Sequence, residues 1–531
     1  MSDQDQAGAS QEQPTESGWL DRIERVGNAL PDPGTLFVLL TVVAFVASWL
    51  VAASGHVSVL EIDGRDPITA QAVNLMSADG FRWLFTNLID IFMEFAPLGL
   101  VLTAAIGISI ADRGGLIAAG LKLILLVVPS RLLTPATFFA GVMSSAAVDA
   151  GYIVLPPLAA AVYRAVGRSP MVGLAAVFAG VACGFNANLV ITGIDPMIAG
   201  ITEEGAQLLD PDYFVNPGAN WWFMIVSTLM VTLVGWAITS YLVEPRLAKK
   251  APEDGGPGQL EGAPAGDLDS LELTSSEKRG LMAAFVTGLL TVGGLAAAIF
   301  MPGGFLYDAP DANLPFPTWI ANIVPLIVVL FVVPGLVYGV TVGTIRSDRD
   351  VIKMMTGYME ALGNYIVLAF FASIFVEAFK YSELGRMMAI EGGTILRASG
   401  LGSTPLMVAF IVLIAFLNLF VGSMSAKWTM LAPIFVPMLM VSGVSPELTQ
   451  VSYRIGDSVT NCITPLNSYL IIVLAYMQQF APRARMGSLI AMMLPYSIVL
   501  FIAWSIMLAI WIQLGLPLGI EGALEYMVEG N

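Results

Sequence analysis

Long apolar segments, most of them close to the length of a membrane helix, alternate with short polar loops along nearly the whole chain. A helix needs roughly 20 apolar residues to cross a hydrocarbon layer of about 30 Å. The pattern therefore predicts membrane helices rather than the amphipathic elements of a soluble domain. Seven uninterrupted spans are predicted, near 34–54, 84–111, 220–243, 279–300, 318–341, 360–380 and 486–515.

Two further apolar segments are interrupted by glycine, proline and polar residues, and each follows a hairpin-like pair of shorter apolar stretches. The first unit is a hairpin at about 132–165 and a broken helix at 171–201. The second unit is a hairpin at about 403–442 and a broken helix at 450–478. Interrupted segments at corresponding positions of two halves are typical of transporter binding sites. The broken helices bring the predicted crossings to nine.

Basic residues in the loops indicate the orientation of these helices. The basic clusters at 246–250, 346–353 and 483–485 are predicted to be cytoplasmic, which places the N-terminus inside and the C-terminus outside. The loop after the first hairpin is basic and the loop after the second is acidic, so the hairpins are predicted to enter from opposite faces. The short stretch 114–131 either spans the membrane or lies at its surface.

Composition supports this reading and indicates the division of the chain. Of the 531 residues, 56% are hydrophobic and 12% are charged, unlike a soluble domain. The net charge of −17 argues against a nucleic-acid partner. We predict a cytoplasmic tail (1–30), a first transmembrane half (31–243), an acidic Gly/Pro-rich cytoplasmic linker (244–278), a second transmembrane half (279–515) and a C-terminal tail (516–531).

Acidic side chains inside membrane segments cost roughly 2.5–3.5 kcal/mol on insertion scales and are functional candidates by default. Asp195 follows the break of the first interrupted helix, and Asp457 and Asn461 share one face of the second. We predict that these three hold a coupling ion, and ligation by oxygen alone favours Na⁺ or a proton over a transition metal. Arg454 is predicted either to pair with Asp457 or to bind a substrate carboxylate. The other acidic candidates are Asp149 and Glu447.

Other polar and aromatic residues near the breaks and hairpin tips suggest a substrate site. Asn188 offers an amide in the first break, and Ser425 lies at the second tip. Trp428, three residues later, is either an aromatic surface for a flat substrate or part of the core. The cysteines Cys183 and Cys462 are too few for a disulfide framework and are predicted to pack as small side chains.

The sequence does not favour an enzyme or an ATP-driven pump. It contains no HExxH zinc motif and no P-loop. Its single histidine, His56, lies beyond the first span, whereas a rhomboid-type serine protease needs a histidine within the membrane. Broken helices with paired hairpins favour alternating access.

Long motifs at consistent spacing make the chain resemble the p-aminobenzoyl-glutamate transporter (AbgT) family over almost its whole length. The segment RIERVGNALPDPGTLFVLL at 22–40 is similar to the opening of that family. The other matching segments are SAAVDAGYIVLPPLAA at 145–160, GFNANLVITGIDPMIAGITEEGAQ at 184–207, VNPGANWWFM at 215–224, GSMSAKWTMLAPIFVPMLM at 422–440 and YRIGDSVTNCITPLNSY at 453–469.

The resemblance implies nine-span protomers with two re-entrant hairpins, paired as a homodimer in a bacterial-type inner membrane. Family members are described as taking up p-aminobenzoyl-glutamate or exporting sulfonamide antimetabolites, with Na⁺ or proton coupling. The matching motifs imply coupling-ion roles for Asp195, Asp457 and Asn461. They imply substrate-binding roles for Asn418, Ser425, Trp428, Pro446, Arg454 and Pro465.

We therefore predict an all-α polytopic membrane protein with about nine transmembrane helices, two re-entrant hairpins in inverted repeats, and broken helices at the midplane. Its predicted function is secondary active transport of p-aminobenzoyl-glutamate or related aromatic antimetabolites, driven by a proton or sodium gradient. A sodium-coupled dicarboxylate carrier of similar architecture is the alternative. The expected partners are a small molecule and the lipid bilayer, with no resident cofactor.

Overall fold

Helices make up most of the regular structure in the part of the chain that the structure describes. The computed structural model describes residues 31, 33–60, 67–146, 150–251, 256, 273–309, 317–467 and 469–527. A two-stranded antiparallel ribbon, β1 (Val57–Leu60) and β2 (Ile68–Gln71), follows the first helix. The N-terminal tail, most of the linker and Asp149 lie outside the described residues.

The helices of the first half begin with α1 and end with α11. They are α1 (Pro33–Ser54), α2 (Ala78–Met93), α3 (Ala96–Arg113), α4 (Leu116–Val127), α5 (Leu133–Met143), α6 (Ala150–Ile153), α7 (Leu155–Ala165), α8 (Pro170–Cys183), α9 (Ile194–Ala206), α10 (Trp221–Ile238) and α11 (Glu244–Leu247). Short 3₁₀ turns cover Ser130–Leu132 and Ser144–Ala146, and a π-helical turn, Thr239–Val243, joins α10 to α11.

The second half repeats the same arrangement of long helices, a hairpin and a broken helix. Its helices are α12 (Ser275–Phe300), α13 (Thr318–Ala321), α14 (Ile323–Val342), α15 (Asp348–Ala361), α16 (Gly363–Tyr381), α17 (Leu384–Ala398), α18 (Ser403–Leu417), α19 (Met424–Val441), α20 (Pro446–Val459), α21 (Leu470–Phe480) and α22 (Met486–Gln513).

Within the described residues, eight helices are long and apolar enough to cross a membrane. Seven of them correspond to the seven uninterrupted spans that the sequence predicts, and the eighth is α19, an arm of the second hairpin. The stretch 114–131, predicted either to span the membrane or to lie at its surface, contains α4, which meets the first arm of the first hairpin at a bend of 116°. The predicted fold class is confirmed.

Each broken helix begins with the same two residues. Ser169 and Ser445 are the N-caps of α8 and α20, and each hydroxyl accepts a backbone hydrogen bond from the first turn. A proline follows each serine, where its missing N–H costs no helical hydrogen bond. The first helix breaks between Cys183 and Ile194, and the second between Val459 and Leu470.

Glycines allow each hairpin to pack closely on its own broken helix. A Cβ at Gly180 of α8 would lie 2.5 Å from the Phe138 carbonyl oxygen of α5. A Cβ at Gly456 of α20 would lie 2.8 Å from the Ile411 carbonyl oxygen of α18. Small residues permit such close backbone approach between membrane helices. The two units also cross, because α9 packs on α19 and α8 contacts α20.

The two broken helices start at opposite ends of one long span, Trp221–Leu247. At the first end, Asn220 donates a hydrogen bond of 3.1 Å to the Glu447 carbonyl oxygen at the start of α20. At the other end, Glu244 pairs with Arg168, just before α8, at 2.6 Å. A rise of 1.5 Å per residue separates Asn220 from Glu244 by about 36 Å. The two units are therefore inverted relative to each other.

Candidate functional site

The first element of the site is a buried ion pair between the two broken helices. Asp195 lies in the first turn of α9, where the Thr192 backbone N–H and hydroxyl donate to its Oδ2 at 2.7 and 3.0 Å. Its Oδ1 lies 2.8 Å from Nη1 of Arg454 on α20. The side chains are 8% and 1% exposed. The suggested pairing of Arg454 with Asp457 is therefore wrong, because the inverted repeat brings a carboxylate from the other half.

A second buried ion pair joins α19 to α20. Nζ of Lys427 lies 2.7 Å from Oδ1 of Asp457, and the two side chains are 0% and 1% exposed. Lys427 also donates to Oδ1 of Asn418 and, at 3.4 Å, to the Val421 carbonyl oxygen. The ammonium group thus has three oxygen partners, which is the number of its N–H donors.

Asn186, in the first break, connects the two ion pairs. Its Nδ2 donates to Oδ2 of Asp457 at 3.1 Å, to Oγ of Ser458 at 2.8 Å and to the Arg454 carbonyl oxygen at 3.1 Å. The backbone carbonyl oxygen of Asn186 in turn accepts a hydrogen bond from Nη2 of Arg454 at 2.9 Å. One asparagine therefore holds the first break against the middle of α20.

Asn418, at the end of α18, ties the second hairpin to the second break. Its Nδ2 donates to the Asp457 carbonyl oxygen at 2.7 Å and to Oδ1 of Asn461 at 2.8 Å. Asn418 therefore contacts both Asp457 and Asn461, as well as Lys427. The structure brings three of the sequence candidates into one hydrogen-bonded group, with Asp195 and Arg454 linked to it through Asn186.

Trp428 is fully buried beside this group. Its ring stacks on Tyr453 with centroids 4.2 Å apart, and its Nε1 donates to Oγ1 of Thr202 at 2.9 Å. Thr202 donates to Gln450 at 2.7 Å. The indole therefore packs between the two repeats with its N–H satisfied, and Tyr453 covers one of its faces.

The remaining predicted substrate residues lie around the group at different distances. Ser425 lies in the first turn of α19, and its hydroxyl oxygen is 3.4 Å from that of Ser423. Asn188 accepts a hydrogen bond from the Ser145 hydroxyl of the first hairpin. Pro465 lies in the second break. Pro446 begins α20, eight residues or about 12 Å along the helix from Arg454, so it lies apart from the ion pairs.

Three buried polar atoms at this site have no hydrogen-bond partner among the described residues. They are Oδ1 of Asn186, Nδ2 of Asn188 and Nε of Arg454. Unsatisfied buried polar groups are costly and rare in folded proteins. One acceptor and two donors without partners are suited to a ligand with both carbonyl and N–H or hydroxyl groups.

The cysteines do not pack as separate small side chains, which corrects the sequence prediction. Cys183, at the end of α8, and Cys462, just after α20, form a disulfide with their Cα atoms 5.8 Å apart. The residues are 279 positions apart, so only the meeting of the two breaks brings them together.

Sequence reasoning passed over Lys427, although a signal was present. It is a lysine inside the apolar helix Met424–Val441, and an ionisable residue at such a position is a functional candidate by default. From the matching segment at 422–440, only Ser425 and Trp428 were predicted to contribute to the site.

The comparisons with known proteins agree over nearly the full length. The model of the AbgT transporter family matches residues 18–526. The chain belongs to the AbgT family. It is 35% identical over 502 residues to the p-aminobenzoyl-glutamate transport protein of Escherichia coli (strain K12), covering 94% of this chain and 95% of that one. The AbgT assignment makes it a transporter and not an enzyme, and does not favour the dicarboxylate carrier.

Two solved AbgT structures have the same fold. The crystal structure of the Alcanivorax borkumensis YdaH transporter, described as having an unusual topology, is 37% identical with a TM-score of 0.84, covering 92% of this chain and 100% of that one. The structure of Neisseria gonorrhoeae MtrF, described as illuminating a class of antimetabolite efflux pumps, is 40% identical with a TM-score of 0.87, covering 93% and 97%.

Proposed function

We propose that this AbgT-family transporter moves p-aminobenzoyl-glutamate or related aromatic antimetabolites such as sulfonamides, by alternating access driven by a proton or sodium gradient. The observation that carries the proposal is the buried group at the crossing of the two repeats. It contains two carboxylates, two cations and two unpartnered polar atoms, Oδ1 of Asn186 and Nε of Arg454. Such intramembrane charges typically mark substrate and ion pathways.

The proposed roles follow from the chemistry of each side chain. The carboxylates of Asp195 and Asp457, with the Asn461 amide, hold the coupling ion. The Arg454 guanidinium, whose Nε is free for a further acceptor, meets a substrate carboxylate. Trp428 supports the aromatic ring of the substrate once Tyr453 or the hairpin moves. The other proposed substrate contacts are Asn188, Asn418, Ser425, Pro446 and Pro465.

We also propose a homodimer in a bacterial-type inner membrane, with a cytoplasmic N-terminus and an external C-terminus. The basic loop with Arg168 and the segment after Glu244 meet at one end of the molecule. The acidic loop with Asp210 meets the C-terminal segment at the other, where the Tyr526 hydroxyl donates to Asp210 at 3.2 Å. This separation of basic and acidic ends supports the orientation.

The test is flux of radiolabelled p-aminobenzoyl-glutamate into proteoliposomes, with pH and Na⁺ gradients imposed separately. We expect one gradient to drive accumulation above equilibrium. Asp195→Asn and Asp457→Asn should each lower that accumulation at least tenfold, because each removes one charge of a buried pair. Asp212→Asn, at an exposed loop carboxylate, is the matched control and should transport as the wild type does. Normal transport by both site variants would refute the assignment.

A further inference from the structure

The oxygens that a coupling metal ion would need at Asp457 are already used by Lys427. Its ammonium group contacts the Asp457 carboxylate, the Asn418 side-chain oxygen and the Val421 carbonyl oxygen. Carboxylate, amide and freed backbone carbonyl oxygens near a break are the ligands that transporters offer to Na⁺. The lysine head group therefore sits where a monovalent metal cation would sit.

The charges of the buried group already cancel. Asp195 is paired with Arg454 and Asp457 with Lys427, so the four side chains carry no net charge. A Na⁺ that entered without substrate would be an uncompensated charge in a medium of low dielectric constant, which is strongly unfavourable. A Na⁺ that entered with a substrate carboxylate would be compensated, but it would find the Asn418 and Val421 oxygens still bound by Lys427. Loss of one ammonium–carboxylate contact, in contrast, leaves a carboxylate that a proton neutralises without any metal ligand.

We propose that Lys427 is the built-in cation of the coupling site and makes the transporter proton-coupled rather than Na⁺-coupled. The inference rests on the proposed transport of an anionic substrate. The substrate carboxylate displaces the Asp457 carboxylate from Lys427 and takes over its ammonium hydrogen bond. Asp457 then binds one proton from the solution that faces the site. One carboxylate and one proton thus enter together, and the charge of the group does not change.

Titratable and charged groups from several elements surround Asp457, and each has to be considered as an alternative site for the proton. Lys427 approaches from α19, and Tyr453 lies one turn earlier on α20, 3.4 Å from Oδ1 of Asp457. Tyr152, from α6, interacts with Asp457 electrostatically. The Arg454–Asp195 pair lies beyond Asn186. Asp457 is the group that loses its cation when Lys427 turns to a substrate, so it is the group that becomes protonated.

The first test measures substrate binding and proton uptake by the wild-type protein in detergent. We expect p-aminobenzoyl-glutamate binding, followed by calorimetry in buffers of different ionisation enthalpy at pH 7, to take up about one proton per substrate. The affinity should be equal in NaCl and choline chloride. A tenfold rise in affinity with Na⁺, or no proton uptake, would overturn the inference. Absence of any substrate binding would instead refute the proposed function.

Variants of the lysine give the second measurement. Lys427→Met removes the ammonium group that the substrate carboxylate takes over, so substrate affinity should fall at least tenfold, and by the same factor in NaCl and in choline chloride. The charge-neutral double variant Lys427→Met/Asp457→Asn keeps the packing without a buried charge; it should also bind substrate more weakly, and at saturating substrate it should take up about one proton fewer than the wild type. Lys380→Met, on α16 outside the site, should match the wild type in both respects. Unchanged proton uptake by the double variant would show that Lys427 and Asp457 do not couple transport.

Discussion

At the scale of single residues, the site is defined by charges that find their partners in other elements. Asp195 pairs across the repeats with Arg454, and Lys427 joins the second hairpin to Asp457. Isolated charges in apolar segments are visible in sequence, which is why both aspartates and the arginine were predicted. Their pairing was not, because sequence proximity suggested Arg454 with Asp457 while the true partner lies in the other half of the chain.

A surface contact allows a prediction on pH and stability. Glu391 of α17 accepts hydrogen bonds from His56 and, at 2.7 Å, from Ser58 of β1. The hydrogen bond from His56, and after it the bond from Ser58, holds the pKa of Glu391 below its usual value of 4.5. A lowered pKa means that the carboxylate stabilises the fold above its usual pKa, and that this contribution is lost as the pH falls through the lowered value.

We therefore expect Glu391→Gln to lower the unfolding temperature by about 1 °C at pH 7, since the pair is half exposed and its energy is small. As the pH falls through the lowered pKa of Glu391, the variant and the wild type should converge, because the wild-type carboxyl group then becomes protonated. Intrinsic fluorescence during heating in detergent gives the unfolding temperatures of the variant and the wild type at each pH. Glu360→Gln, at an exposed glutamate of α15, is the control. A difference that grows at low pH would contradict the expected sign.

At the scale of elements, the two breaks meet and are covalently joined. Apolar length, serine–proline starts and glycine positions are local signals, so the spans, hairpins and broken helices could be predicted from sequence. The contact between Cys183 and Cys462 could not, because it depends on how two inverted units cross. Each cysteine looked like a small packing residue within its own segment.

The disulfide can be tested through the linker between the two halves. A protease site inserted after residue 262 would divide the chain into two fragments, one carrying Cys183 and the other Cys462. After cleavage, we expect the fragments to migrate together on a denaturing gel without reductant and apart with reductant. Cys462→Ser should give separate fragments under both conditions. Separate wild-type fragments without reductant would show that the cysteines are not bonded.

At the scale of the whole molecule, the separation of basic and acidic loops to opposite ends agrees with the inverted arrangement of the two units. The C-terminal segment returns to the acidic end. There the Ser445 hydroxyl donates a hydrogen bond of 2.7 Å to the Ala523 carbonyl oxygen, and the Phe223 backbone N–H donates one of 2.9 Å to the Leu518 carbonyl oxygen. Loop charge and crossing number predict this arrangement from sequence. The docking of the C-terminal segment on the start of the second broken helix was not predictable, since it depends on irregular backbone contacts.

The orientation predicts which terminus is accessible in intact cells. An epitope fused to the C-terminus should be cleaved by added protease in spheroplasts, whereas one fused to the N-terminus should be protected until the membrane is broken. The physical reason is that basic loops are retained on the cytoplasmic side, and the chain reaches the other side after an odd number of crossings. Protection of both epitopes, or cleavage of the N-terminal one alone, would contradict the predicted topology.

The bond between Cys183 and Cys462 has a mechanical consequence. It fastens the end of α8 to the segment that follows α20, so these two points cannot separate while the bond is intact. A motion in which one repeat rocks away from the other at this crossing is therefore excluded in the oxidised protein. Access must change by moving the joined pair as one body past neighbouring helices such as α22, which contacts both α8 and α20, or by moving the hairpin tips around a fixed centre.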